Sequence, residues 1–217
     1  MAAELGLRQR KKLQTRQLLA DTAHRLFVER GFESVSVASI ARAADLSEAT
    51  VFNYFPTKED LVFSGLELFE EQLLDAVRDR PAGESVLSAF GRFVLEPRGL
   101  LASKDAADVT RLDEVSRMIA ASPGLLAREQ EVLAGYTRTL AALIADETAA
   151  KAGDPGPVVV ASALIGVHRA LIEYVRDQFL AGETNLPRLA RKTQRYGERA
   201  LALLAHGLDD YADRSGP

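Results

Sequence analysis

Apolar residues recur along almost the whole chain at steps of three and four, the spacing that lines one face of an α-helix, and Pro or Gly falls at most of the breaks. The pattern predicts helices over about 9–30, 37–43, 47–54, 57–79, 84–95, 105–121, 123–150, 157–181 and 186–212. Leu13, Leu18, Leu19, Ala23, Leu26 and Phe27 are expected on the inward side of the first helix, and Gly31 stops it. Thr57, with Asp60 three residues on, opens the fourth, and Ser122-Pro123 supplies a cap and first-turn pair for the seventh. Only 35–37 and 158–160 have strand character; the first is too short and the second runs straight into a helical period. The expected fold class is all-α, with no internal repeat and no low-complexity segment.

The most informative stretch is 36–61, SVASIARAADLSEATVFNYFPTKEDL. It reads as two short helices joined by a tight turn, followed by a Pro and a helix start. Ile40, Ala41, Leu46, Val51 and Phe55 are spaced to face the first helix and to form a small core with Leu26 and Phe27. Ala41 and Ala44 are small enough to let two helices cross closely. The turn position, Asp45, must accept a left-handed backbone, which Asp tolerates better than most residues. At 100° per residue, burying Val51 and Phe55 turns Glu48, Ala49, Phe52 and Asn53 outward, with Thr50 at the margin.

This stretch resembles the DNA-binding domain of the TetR family of bacterial transcription regulators, whose members run S/T-x-x-x-I-A-x-x-A-G-V-S-x-x-T-L-Y-x-H/Y-F-x-x-K-E-x-L. The chain matches at Ser36, Ile40, Ala41, Ala44, Ser47, Thr50, Tyr54, Phe55, Lys58, Glu59 and Leu61, with Leu46, Val51 and Phe52 as conservative variants. Asp45 and Ala49 stand where the family usually has Gly, and Phe52 replaces the usual Tyr, removing one hydroxyl. The resemblance implies that the second short helix reads the major groove of double-stranded DNA. On the outward face Asn53 suits adenine, Glu48 cytosine N4, and Ala49 and Phe52 a thymine methyl, while Thr50 can reach a base or a phosphate. Ser36, Ser39, Ser47, Tyr54 and Lys58 are candidate phosphate contacts. So are Arg10, Lys11 and Lys12 of a basic N-terminal arm. Residues 1–56 are then the DNA-binding domain, and 57–217 a helical ligand-binding and dimerisation domain.

The match fades after about residue 65. By resemblance, the later helices surround a small-molecule effector and the last two pair with a second copy as a homodimer. Phe69, Phe90, Phe93, Met118, Tyr136, His168 and Tyr174 are large or polar-tipped residues on apolar helical faces, with Arg117 and Arg169 beside them, and form a shortlist for an apolar or amphipathic effector. His168 shares its stripe with Leu164, Leu171 and Val175, which predicts a satisfied core or interface histidine. For the dimer seam the candidates are the small Ala163, Gly166 and Ala170, and on the last helix Tyr196, Ala200, Leu203, Leu204, Gly207 and Leu208.

Composition narrows the alternatives. The 47% hydrophobic and 27% charged content is that of a globular protein, and no stretch approaches the roughly 20 apolar residues of a bilayer span. No membrane partner is expected, and the absence of a signal-like N-terminus points to the cytoplasm. The net charge of −4 conceals an asymmetry, because residues 5–20 carry Arg8, Arg10, Lys11, Lys12 and Arg16 with no acid among them. With no cysteine there is no thiolate metal site or thiol nucleophile. No catalytic motif, metal set or cofactor fingerprint is present. A ligand-responsive repressor on a palindromic operator is the expected function. The alternatives are an activator of the same family or a helical adaptor protein.

Overall fold

A cap hydroxyl, a left-handed turn residue and a second cap hydroxyl, within twelve residues of one another, organise the N-terminal helices of this computed structural model, which describes residues 6–98, 102 and 105–206. The helices are α1 (Leu7–Arg30), α2 (Val37–Ala43), α3 (Glu48–Tyr54), α4 (Leu66–Arg78), α5 (Val86–Leu95), α6 (Ala106–Ala121), α7 (Pro123–Thr148), α8 (Gly156–Leu180) and α9 (Leu186–His206). A 3-10 turn, Glu59–Leu61, lies between α3 and α4, and there is no strand among the described residues. The fold class is all-α, as the periodicity predicts.

The fourth helix departs from expectation. Thr57 and Asp60 do cap one another, Thr57 N donating to Asp60 Oδ2 at 3.0 Å and Asp60 N to Thr57 Oγ1 at 3.3 Å. What they cap is the 3-10 turn, and α4 begins only at Leu66. Val62, Ser64 and Gly65 are weak helix formers, and Arg16 Nη2 approaches the Ser64 carbonyl at 3.5 Å in place of a helical donor. Leu13 and Leu18, expected inward on α1, are 54% and 49% exposed. The seven-residue α2 and α3 are each roughly 10 Å long and cover only part of a helix of about 36 Å.

Packing divides the chain into two units, Met1–Glu67 with Arg117–Glu129, and Leu68–Ser116 with Gln130–Pro217. The first unit therefore runs past residue 57 and takes in a later segment of chain. Its core holds Leu19, Ala23, Leu26, Phe27, Ile40, Val51, Phe55 and Leu125, with Phe27 and Phe32 edge to face at 5.0 Å. The later segment is tied in by polar contacts. Ser122 Oγ donates to Glu33 Oε1 at 2.8 Å, and Arg128 Nε lies 2.9 Å from Asp60 Oδ1.

In the second unit α8 and α5 both pack on α9. Gly197 makes this approach possible, since a Cβ there would come within 2.5 Å of Leu95 Cδ2 and 3.1 Å of Leu171 Cδ2. Phe179, Leu186 and Leu189 close the far end of the α8–α9 pair. By length and composition alone α8 could cross a membrane, contrary to the expectation that no stretch qualifies, because its charged residues all fall at 169 and beyond. Here it is a packed helix, burying Ala161, Leu164, Ile165 and Leu171.

Candidate functional site

The α2–turn–α3 corner is built by short-range hydrogen bonds that the sequence encodes directly. Ser36 caps α2, its Oγ accepting from Ser39 N at 3.2 Å, while Ser39 Oγ donates to the Ser36 carbonyl at 2.7 Å. Ser47 caps α3, accepting from Thr50 N at 3.1 Å with Thr50 Oγ1 2.8 Å away. Between them Asp45 has φ 56°, in the left-handed region. Asp45 N donates to the Arg42 carbonyl at 3.2 Å and Leu46 N to that of Ala41 at 2.9 Å, closing the end of α2.

This corner fixes which face of α3 is free. Val51 and Phe55 are each 1% exposed, whereas Glu48, Ala49, Phe52 and Asn53 face solvent and Thr50 is half-buried. Phe52 is notable because 48% of so large an apolar residue is exposed beside an exposed amide side chain. Ser36 and Ser47 are exposed, Ser39 and Tyr54 half-buried. Arg10, Lys11 and Lys12 are exposed on the early turns of α1, which is helical from Leu7.

Two cations have structural partners that the sequence reading did not supply. Arg16, counted there among the basic arm, is directed inward. Its Nη1 donates to the Tyr54 carbonyl at 3.0 Å and its guanidinium lies 4.4 Å from the centre of the Phe55 ring, fastening the end of α3 to α1. The available signal was its place on the stripe of Leu19, Ala20 and Ala23. Lys58 is half-buried, with Nζ donating to the Phe32 carbonyl at 3.0 Å and 4.1 Å from the centre of the Phe32 ring.

Of the effector shortlist, four residues come together in the second unit. Phe69 stacks on His168 with centroids 4.6 Å apart and planes 11° apart, meets Phe93 edge-on at 5.2 Å, and faces Tyr136 at 6.2 Å. Phe93, Tyr136 and His168 are buried and Phe69 half-buried. His168 is not the satisfied core histidine expected, because its Nε2 has no hydrogen-bond partner, and burial pushes the imidazole down to about 4. Phe90 is fully buried. The remaining candidates lie elsewhere. Arg117 (exposed) and Met118 (half-buried) belong to the first unit. Arg169 is exposed and pairs with Glu173 at 3.7 Å, and Tyr174 stacks on Tyr196 at 4.5 Å.

Along the seam candidates, Ala163, Gly166, Ala170, Ala200 and Leu204 are half-buried, while Tyr196 and Leu203 are 38% and 42% exposed. A Cβ on Gly166 would meet nothing within 4 Å. Gly207 and Leu208 lie outside the described residues. Val158, Val159 and Val160, read from sequence only as a rejected strand, are all exposed on the first turns of α8.

Comparison with known proteins places this geometry. Residues 19–64 match the family described as bacterial regulatory proteins, tetR family, and residues 97–209 match the MftR C-terminal domain. The chain is 33% identical over 147 residues to the HTH-type transcriptional regulator TcmR of Streptomyces glaucescens, the match covering 63% of each chain, just under two thirds of TcmR's length. It is 29% identical over 177 residues to a proposed mycofactocin biosynthesis transcriptional regulator, MftR, of Mycobacterium tuberculosis, covering 78% of this chain and 84% of that one. Among solved structures, NalD of Pseudomonas aeruginosa superposes with a TM-score of 0.53 at 21% identity, covering 86% of this chain and 96% of NalD, a likeness of fold. With one match on the helix–turn–helix and another over more than half the chain beyond it, the protein belongs to the TetR family of bacterial transcriptional regulators, a family of DNA-binding proteins rather than enzymes.

Proposed function

We propose that the protein is a homodimeric, ligand-responsive repressor whose α3 helices read a roughly palindromic operator. The observation that carries this reading is the outward face of α3. Glu48, Ala49, Phe52 and Asn53 stand in solvent on a helix anchored by buried Val51 and Phe55. Amide, carboxylate, methyl and aromatic groups on one face are the mixture that distinguishes base edges in the major groove. Arg10, Lys11, Lys12, Ser36, Ser39, Ser47, Tyr54 and Lys58 flank that face as phosphate contacts, which set register rather than sequence. Residues 1–56 act as the reading domain and 57–217 as the effector and pairing domain.

Pairing through the half-exposed small residues of α8 and the exposed Tyr196 and Leu203 of α9 would set two recognition helices one DNA turn, about 34 Å, apart. A small molecule that binds best to a dimer with another spacing releases the operator by shifting the population between the two arrangements. The site of action is the bacterial cytoplasm, where the operator is.

The test is selection of random-sequence duplexes by the purified protein, run in parallel with Asn53→Ala. The expected result is an inverted-repeat motif for the wild type and a preference relaxed at one position per half-site by about 1–3 kcal/mol for the variant. An identical motif and affinity for both proteins would overturn the assignment of the reading face.

A further inference from the structure

Among the described residues, two buried side-chain polar atoms have no hydrogen-bond partner, His168 Nε2 on α8 and Thr193 Oγ1 on α9. Thr193 has a local remedy. A helical threonine can turn its hydroxyl to the carbonyl four residues back, as Thr137, Thr139 and Thr148 do. An imidazole has no such recourse, and an unmade hydrogen bond inside a protein is costly enough that native structures rarely keep one without a use. His168 is 8% exposed and its ring lies flat against Phe69, within reach of no other polar group at Nε2.

We infer that His168 Nε2 is the polar anchor of the effector site and that the effector is an uncharged aromatic molecule carrying a hydroxyl group. The inference rests on the reading of this chain as a ligand-responsive regulator. Three observations select the class. First, Phe69 is half-buried and covers the imidazole at 4.6 Å, so it is the ring an entering molecule would displace. An aromatic guest in its place restores the stacking that Phe69 makes with His168 and Tyr136. Second, the positive charge that lies against the Phe93 ring is already committed. Arg98 lies 4.1 Å from the centre of the Phe93 ring, but its Nη2 pairs with Glu96 Oε2 at 2.6 Å and its Nε donates to the Phe93 carbonyl at 3.3 Å. Burial keeps the imidazole neutral as well, so neither of these two groups offers a free positive charge to an anion. Third, a neutral imidazole has one donor and one acceptor nitrogen, and only a group able both to give and to accept serves Nε2 in either tautomer. A hydroxyl does so.

The experiment compares 2-naphthol, naphthalene and 2-naphthoate as probes of the full-length protein, wild type and His168→Phe. Affinity is measured by calorimetry, the ring nitrogens are followed by 15N NMR, and retention of an operator duplex is read in the same samples. With three histidines in the chain, the ring nitrogens give an assignable spectrum. The expected result is about tenfold tighter binding of 2-naphthol than of naphthalene, one net hydrogen bond, with 2-naphthoate weaker than both. His168→Phe should retain naphthalene and lose the tenfold preference, and the His168 Nε2 resonance of the wild type should move with 2-naphthol only. Equal affinity for 2-naphthol and naphthalene, a preference that survives His168→Phe, no binding of any probe, or an unmoved Nε2 resonance each overturns the inference. The resonance decides the matter even if the variant does not fold. Binding through His168 without release of the duplex would instead refute the ligand-responsive reading and leave the site standing.

Discussion

Arg128 and Asp60, 68 residues apart in sequence, are joined by a bond of 2.9 Å from the guanidinium Nε to Oδ1, while the other oxygen of the same carboxylate accepts the Thr57 N–H at 3.0 Å. One carboxylate thus holds both the turn that follows α3 and the early part of α7. Asp60→Ala removes both contacts and should destabilise the protein by about 1–3 kcal/mol, because it strips a cap and leaves Arg128 without this partner. Arg128→Ala removes one, on a side chain that is 31% exposed, and should cost less than about 1 kcal/mol. Urea midpoints for the two variants provide the comparison. A larger loss for Arg128→Ala would show that the cap contributes nothing.

Asp45 holds a left-handed backbone where glycine has no Cβ to strain. Asp45→Gly should therefore stabilise the folded chain, by up to about 1 kcal/mol after allowing for the greater freedom of glycine in the unfolded state. Thermal unfolding measures this. A fall in stability would mean that the carboxylate makes a contribution larger than the backbone strain it accompanies.

Two glycines on neighbouring helices should respond oppositely to a methyl group. Gly197→Ala drives a Cβ toward Leu95 and Leu171 and should cost about 1–3 kcal/mol despite the better helix propensity of alanine. Gly166→Ala meets nothing within 4 Å in the single chain and should gain up to about 1 kcal/mol in folding. If Gly166 lies in the proposed seam, the same change should weaken self-association. Sedimentation equilibrium beside chemical denaturation separates the two effects. An unchanged dimer would remove Gly166 from the seam.

Burial lowers His168 from its ordinary 6.5 to about 4, so in acid the unfolded chain takes up a proton that the folded chain refuses. Its contribution to stability is undiminished above pH 6.5, falls by about 1.4 kcal/mol per unit as pH drops toward 4, and changes no further below that. His168→Phe should flatten that part of the profile. Urea midpoints between pH 7 and pH 4 test the sign. Parallel profiles for wild type and variant would show that His168 takes up its proton as readily in the folded protein as in the unfolded chain.

What could be read from sequence was what neighbours in the chain decide. Ser36, Asp45 and Ser47 specify their bonds within three to five residues, and the limits of α2, the turn and the exposed side of α3 follow from them together with the helical period. The unbroken fourth helix failed because the capping pair at Thr57 and Asp60 is equally able to close a 3-10 turn. Ser122 caps α7 as expected, but its bond to Glu33 and the partners of Arg16 and Lys58 escaped because they are distant in sequence, and a cation looks the same on paper whether it meets a phosphate or a carbonyl. The gathering of Phe69, Phe93, Tyr136 and His168 from four helices was only a list of bulky residues until packing brought them together. That His168 lacks a partner is a property of its surroundings, which no local pattern records.

The segment Arg117–Glu129 packs with the N-terminal helices although the chain leads into and out of it through residues of the other unit. The unit that carries the helix–turn–helix is consequently not a contiguous stretch of chain. A fragment ending at residue 67 would leave Asp60 and Glu33 without Arg128 and Ser122 and would uncover the core that Leu125 helps to fill, and one ending at residue 57 would lose Asp60 itself. A splice that exchanges the second unit must therefore keep residues 117–129 or supply their equivalent, or the helix–turn–helix loses part of the core it stands on.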